Sequence, residues 1–164
     1  MILAVTGHRP NKLFGYELSH PKYRILYNIL FAQLEDNIPE LCVSGMALGT
    51  DTLFAIASIN YKKKYSDRSA KLECAIPCLN HSCKWNDKDK QIYNNILGKA
   101  DIVTLVTNEE YQPWLMQKRN EYMVDKCDIL LAVWDGSAGG TNNCVKYARK
   151  LYKEIIIIDP RKIL

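Results

Sequence analysis

The sequence has no long apolar run. Its apolar runs, such as Ile129–Trp134 and Ile155–Ile158, are of strand length, far short of the roughly 18 residues a membrane-spanning helix needs. Met1–Gly7 lacks a basic leader followed by a long apolar region, so it is expected to be a first strand rather than a signal peptide, and the protein is expected in the cytoplasm. Paired Cys-x-x-Cys knuckles are missing too. Cys74, Cys78 and Cys83, with His81 among them, therefore lack zinc-site spacing, and no metal is expected. Without a secretory signal, these three and Cys42, Cys127 and Cys144 read as reduced, mostly buried thiols. No segment is repeated or of low complexity, which excludes a solenoid and a disordered tail.

A large charge of one sign is also lacking. Lys and Arg number 22 against 18 Asp and Glu, a net +4. Lys62–Lys64, and Lys146, Arg149, Lys150 and Lys153 near the end, fit solvated helix faces, and no aromatic residues interleave with basic ones as in single-strand binders. A nucleic-acid partner is thus allowed but not favoured.

What the chain does have is the material of one globular domain over residues 1–164, with 48% hydrophobic and 24% charged residues. Apolar runs at Ile2–Val5, Leu41–Val43, Lys71–Pro77, Ile102–Val106, Ile129–Trp134 and Glu154–Asp159 read as six strands. Between them lie five helical patterns: one from Pro21 to before Pro39, one through Leu53, Phe54, Ala57 and Tyr61, and Asp87–Leu97 stopped by Gly98. A fourth lies around Trp114–Lys126, with Leu115, Met116, Tyr122 and Met123 inward, and the last begins near Asn142 with a stripe of Val145, Ala148, Leu151 and Tyr152. Strict β–α alternation with near-continuous apolar strands predicts an α/β fold: a Rossmann-like three-layer sandwich on a mainly parallel sheet of about six strands.

In such a sheet every strand-to-helix turn lies at one edge, where ligands bind. Three turns carry polar chemistry: Thr6-Gly7-His8-Arg9, Ser44-Gly45-Met46 with Gly49-Thr50-Asp51, and Asp135-Gly136-Ser137 with Gly139-Gly140-Thr141. None matches G-x-G-x-x-G or a Walker loop. Together they offer backbone amides, hydroxyls, carboxylates and a guanidinium. The third turn stands out, because three glycines in five residues permit positive φ and close approach of a ligand to a helix start, where a phosphate is the natural occupant. Arg9 is expected to clamp a phosphate. His8 can donate a hydrogen bond, act as acid or base, or be a plain turn residue. Asp51 can bind a ribose hydroxyl or cap its helix. Trp85, in the irregular Cys78–Asp87 segment, is the tryptophan most suited to stacking on a base, while Trp134 fits a pocket floor.

Several of these segments together carry a resemblance over nearly the whole chain: Thr6–Pro10 with Leu13–Tyr16, Ser44–Asp51, Ile76–Cys78 followed by Trp85, Arg119-Asn120 with Met123–Asp125, and Ala132–Thr141. The chain resembles the YpsA-like branch of the SLOG superfamily, named for the Smf/DprA and LOG proteins. The resemblance implies a Rossmann-like domain that binds a nucleotide-derived ligand (ADP-ribose-like, cyclic ADP-ribose or NAD-related). Its implied role is that of a sensor or sequestering protein in bacterial or phage defence or stress signalling, with no cofactor required. LOG enzymes hydrolyse nucleoside monophosphates with an arginine and a glutamate. Arg119 resembles that arginine, but Cys144 stands where the glutamate would fall, so LOG-type phosphoribohydrolysis is disfavoured and a hydrolase using Arg119 and Asp135 is an alternative. A DprA-like binder of single-stranded nucleic acid is a further one. The small-molecule ligand is the expected partner, no membrane is expected, and a homo-oligomer, dimer or tetramer, is expected.

Overall fold

In the first strand, β1 (Ile2–Gly7), alternate residues serve different layers: Leu3 and Val5 join one core while Ala4 joins another. The computed structural model, which describes all 164 residues, repeats this division across the sheet. The chain runs β1, α1 (Pro21–Asn37), β2 (Leu41–Ser44), α2 (Thr50–Lys64), β3 (Lys71–Ile76), α3 (Asp87–Lys99) and β4 (Ile102–Leu105). It continues through α4 (Leu115–Lys126), β5 (Ile129–Val133), α5 (Gly140–Lys150) and β6 (Glu154–Ile158). All six strands are parallel, in the order β4-β3-β2-β1-β5-β6. This is the expected Rossmann-like architecture.

The larger core lies on the face covered by α1, α2 and α3. Leu3, Val5, Leu72, Leu131 and Val133 meet Leu26, Leu30, Phe54, Tyr61 and Ile96 there. On the opposite face the strands present smaller residues, Ala4, Val43 and Ala75, to Met123 and Val124 of α4 and Cys144 and Ala148 of α5. Helix packing on each face follows from this alternation, since both sides of a parallel sheet must be covered. Five thiols are buried, and Cys83 is exposed. No group of three or more metal-ligating side chains forms, because Cys74 points into the larger core. No helix is long and apolar enough to cross a membrane.

Some local expectations need correction. Burial on both faces holds for the inner strands only, since Ile102, Val103 and Leu105 of edge strand β4 are exposed. Gly98 does not stop α3, which runs on to Lys99 before Ala100 turns extended. The last helix starts two residues before Asn142 and ends at Lys150; Leu151 and Tyr152 lie beyond it, Tyr152 almost fully exposed. Cys144, Val145 and Ala148 form the buried stripe instead.

Buried Glu73 on β3 ties the sheet to α4. Its carboxylate accepts from Lys126 Nζ at 2.6 Å, Tyr122 Oη at 2.5 Å and Thr104 Oγ1 at 2.8 Å. Burial pushes its pKa up, but these donors outweigh burial and hold it below the usual value. The ion pair therefore anchors the helix that carries Arg119 and Asn120.

Candidate nucleotide-binding cleft

Strand order reverses between β1 and β5, whose outgoing turns lead to opposite faces of the sheet. A crevice opens at such a switch point, beyond the carboxyl ends of the strands. Here it is a cleft of about 340 Å³. Thr6, Gly7, His8 and Arg9 line it from the β1 turn, Ser137, Gly139, Gly140 and Thr141 from the β5 turn, and Arg119 and Asn120 from α4. Ala47 and Asp51 are the parts of the second turn that reach it.

The β5 turn is built to leave its amides free. Asp135 Oδ1 accepts from Ser137 N at 2.9 Å, closing a local side-chain turn. Gly136 and Gly139 take positive φ, 89° and 143°, while Gly140 does not. Trp134 Nε1 donates to Ser137 O at 2.8 Å, so this tryptophan braces the loop and is not a floor of the cleft. Gly139 caps α5 without a side-chain bond, and the N–H groups of Gly140, Thr141 and Asn142 have no protein acceptor. They form the positive end of the helix dipole at the cleft.

Asp135 itself does not line the cleft. His8 Nε2 lies 2.8 Å from Asp135 Oδ1 and 3.2 Å from Asp135 N, and the tautomer decides which contact it serves. Hydrogen bonds from Ser137 first, then from His8, hold the Asp135 carboxyl well below its usual range. It is a fixed anion that joins the β1 and β5 turns.

The second turn is mostly scaffold. Ser44 Oγ donates to Asp51 O at 2.8 Å and accepts from Met46 N at 3.2 Å; Met46 is fully buried in the core. Thr50 Oγ1 donates to His8 O at 3.0 Å, locking this turn to the first. A Cβ on Gly7 would stand 2.5 Å from the Thr50 side chain, and Gly49 caps α2 with φ 89°. Ser44, Gly45, Met46, Gly49 and Thr50 therefore do not line the cleft. Asp51 does not cap α2 either: its carboxylate accepts from Ala47 N at 3.1 Å. Burial raises its pKa, opposed by Arg119, the Ala47 amide and Arg9.

Arg119 is buried under the cleft. Its guanidinium donates to Gly45 O and to Asn120 Oδ1 at 3.1 Å. A Cβ on Gly45 would come within 2.7 Å of it, which is why glycine stands there. Exposed Arg9 makes no side-chain hydrogen bond or ion pair. Sequence reasoning missed Lys12, whose Nζ donates to Ser137 Oγ at 3.1 Å and Ala138 O at 2.9 Å across 125 residues of sequence. It missed Asn11, Met116 and Asn142 as well, while Ala47 and Ala138 line the cleft from within the second and third turns. The only signal for Lys12 was its place in the turn opened by Arg9-Pro10. Three cations thus face the cleft against the single carboxylate of Asp51, an imbalance that favours an anion.

Cys144 is fully buried behind the cleft and does not line it; burial pushes its thiol up to about 12. No base for activating water stands at that position. Trp85 is likewise absent from this cleft and lines a neighbouring cavity.

The chain is similar to the SPbeta prophage-derived protein YoqJ of Bacillus subtilis (strain 168), 36% identical over 121 residues, which are 67% of this chain and 70% of that protein. It is 30% identical over 145 residues to a UPF0398 protein of Bacillus pumilus (strain SAFR-032), 85% of this chain and 76% of the relative. Among solved structures, DNA processing protein A of Helicobacter pylori, described for its single-stranded DNA binding mode, superposes with a TM-score of 0.65 at 17% identity. That superposition covers 97% of this chain and 65% of the other. The Streptococcus pneumoniae protein DprA gives 0.63 at 15% identity, covering 96% and 50%. This chain thus spans 65% and half of those two proteins, and at these identities the likeness is one of fold. The match to the YspA SLOG family (YpsA) runs over residues 3–162, and the chain belongs to that family.

Proposed function

We propose that the cleft binds a small nucleotide-derived ligand through its phosphate, and that the protein senses or sequesters this ligand rather than turning it over. The observation that carries the reading is the convergence of three unpaired α5 amides with Arg9, Lys12 and Arg119 on one cleft at the sheet's switch point. Amides at a helix start suit the oxygens of a phosphate, and a guanidinium can grip them in pairs. The cleft volume lies in the range of small-molecule sites. An ADP-ribose-like, cyclic ADP-ribose or NAD-related compound meets these requirements. Buried Cys144 argues against LOG-type hydrolysis, because a neutral thiol there neither activates water nor stabilises a cationic ribose. The prophage origin of the relative YoqJ fits a phage-linked setting for such a protein.

Titration calorimetry of the protein with ADP-ribose, cyclic ADP-ribose, NAD and AMP is the test. Binding of at least one is expected, with the ligand recovered unchanged by chromatography. Silence from all four refutes the reading, and hydrolysis of a bound one refutes the non-catalytic part. The single-stranded DNA binding of the H. pylori neighbour is a weaker guide, since a net charge of +4 is modest for a phosphate-backbone binder.

A further inference from the structure

Beside the cation-lined cleft lies a second cavity of about 480 Å³, and the two share Arg9, Ala47 and Met116. Beyond Pro10 and Leu48 of the first two turns, its walls come from Tyr16 before α1, Asn80, His81 and Cys83–Trp85 after β3, and Glu110-Tyr111 after β4. They differ in character from the first cleft. Tyr16 and Tyr111 leave 62% and 50% of their surface exposed, although large aromatics ordinarily reduce their contact with water. Trp85 is set edge-on against His81 at 5.1 Å and Tyr93 at 5.2 Å, so its position is fixed by packing from behind.

His81 lines the same cavity. Its Nδ1 is buried without a hydrogen-bond partner and closed off from solvent, so what the ring presents to the cavity is its remaining surface. Burial first, then the charges of Arg119 and Arg9, push the imidazole down to about 3, so the ring is neutral. Lys84 and Glu110 at the rim carry opposite charges. The annex therefore offers the aromatic surfaces of Tyr16, Trp85 and Tyr111, an uncharged imidazole and the neutral amide of Asn80, the chemistry that suits an uncharged heteroaromatic ring.

We propose that the ligand site is bipartite: the annex formed by Tyr16, His81, Trp85 and Tyr111 takes a nucleobase, while the adjoining cleft holds the phosphate and Arg9 spans the junction. This rests on the anion-binding reading of the cleft and adds the identity of the ligand's other end. A ligand filling both spaces is a nucleotide and not a simple sugar phosphate.

The experiment is calorimetry with AMP, ADP-ribose and ribose 5-phosphate on the wild type, Trp85→Ala and Tyr111→Ala, each checked by thermal unfolding. Because Trp85 packs on Tyr93, its loss can disturb the loop; half-exposed Tyr111 is the deciding variant. Tyr111→Ala is expected to weaken the nucleotide that binds by roughly ten-fold, within the range for base–aromatic stacking, and to leave ribose 5-phosphate unchanged. Nucleotide binding that Tyr111→Ala does not alter overturns the annex while leaving the anion site standing. Equal weakening of nucleotide and ribose 5-phosphate also overturns it. If none of the three compounds binds the wild type, the bipartite site is overturned, and titration with cyclic ADP-ribose and NAD decides whether the anion-binding reading falls with it.

Discussion

Replacing Lys126 by methionine strips the counter-charge from Glu73 while keeping most of the side-chain stem. Glu73 is fully buried, and Lys126 supplies the 2.6 Å contact to Oε2, whereas Tyr122 and Thr104 bind Oε1. Breaking a buried pair by removing one partner costs about 3–5 kcal/mol. Lys126 is 33% exposed, so water partly replaces it and about 2–3 kcal/mol is the expected loss. For a chain of this size that lowers Tm by roughly 4–12 °C. The pH dependence supplies a second signature. A carboxyl whose folded pKa lies below its unfolded value contributes stability above the unfolded pKa and loses it as pH falls through the folded one. Glu73 is such a group, so the wild-type advantage over Lys126→Met is largest near pH 7 and closes below about pH 4. Urea unfolding followed by circular dichroism at pH 7, 5 and 3.5 measures it. A difference below about 1 kcal/mol at pH 7, or one unchanged at pH 3.5, refutes the claim that this ion pair anchors α4.

Gly7→Ala places a Cβ 2.5 Å from the Thr50 side chain, which is itself tied to His8 O; a loss of about 1–3 kcal/mol in chemical denaturation is expected, and an unchanged midpoint contradicts the locking of the two turns. Gly140→Leu meets open space and a permitted φ, so Tm stays the same or rises while calorimetric nucleotide binding drops at least ~10-fold, because the side chain enters the path to the α5 amides. In native protein at pH 8, iodoacetamide labels exposed Cys83, whereas burial holds Cys42, Cys74 and Cys144 up to about 12. Intact mass spectrometry is expected to show one adduct, rising to six in urea; several adducts without denaturant count against the packing described.

The β–α alternation was legible because each element carries its own period, and the run of apolar strands left few alternatives to a parallel sheet. Boundaries were less so. Gly98 carried a stop signal, yet nothing crowds it inside α3, so the helix continued past it. The first and third turns stood out by their glycines and polar residues, and both line the cleft. In the second turn the same residue types serve as scaffold, since Ser44 and Thr50 direct their hydroxyls to backbone carbonyls.

Local chemistry alone determined the six strands, the five helices and the glycine-rich turn that begins α5, because φ freedom and apolar periodicity are written residue by residue. Only the tertiary structure decided what surrounds that turn. Lys12 reaches Ser137 and Ala138, His8 meets Asp135, and Arg119 passes beneath Gly45, each across 74 or more residues. Such partners are set by strand order and by the absence of a Cβ at one point of contact, and neither leaves a local pattern. The turn supplies amides; the fold chooses the charges that face them.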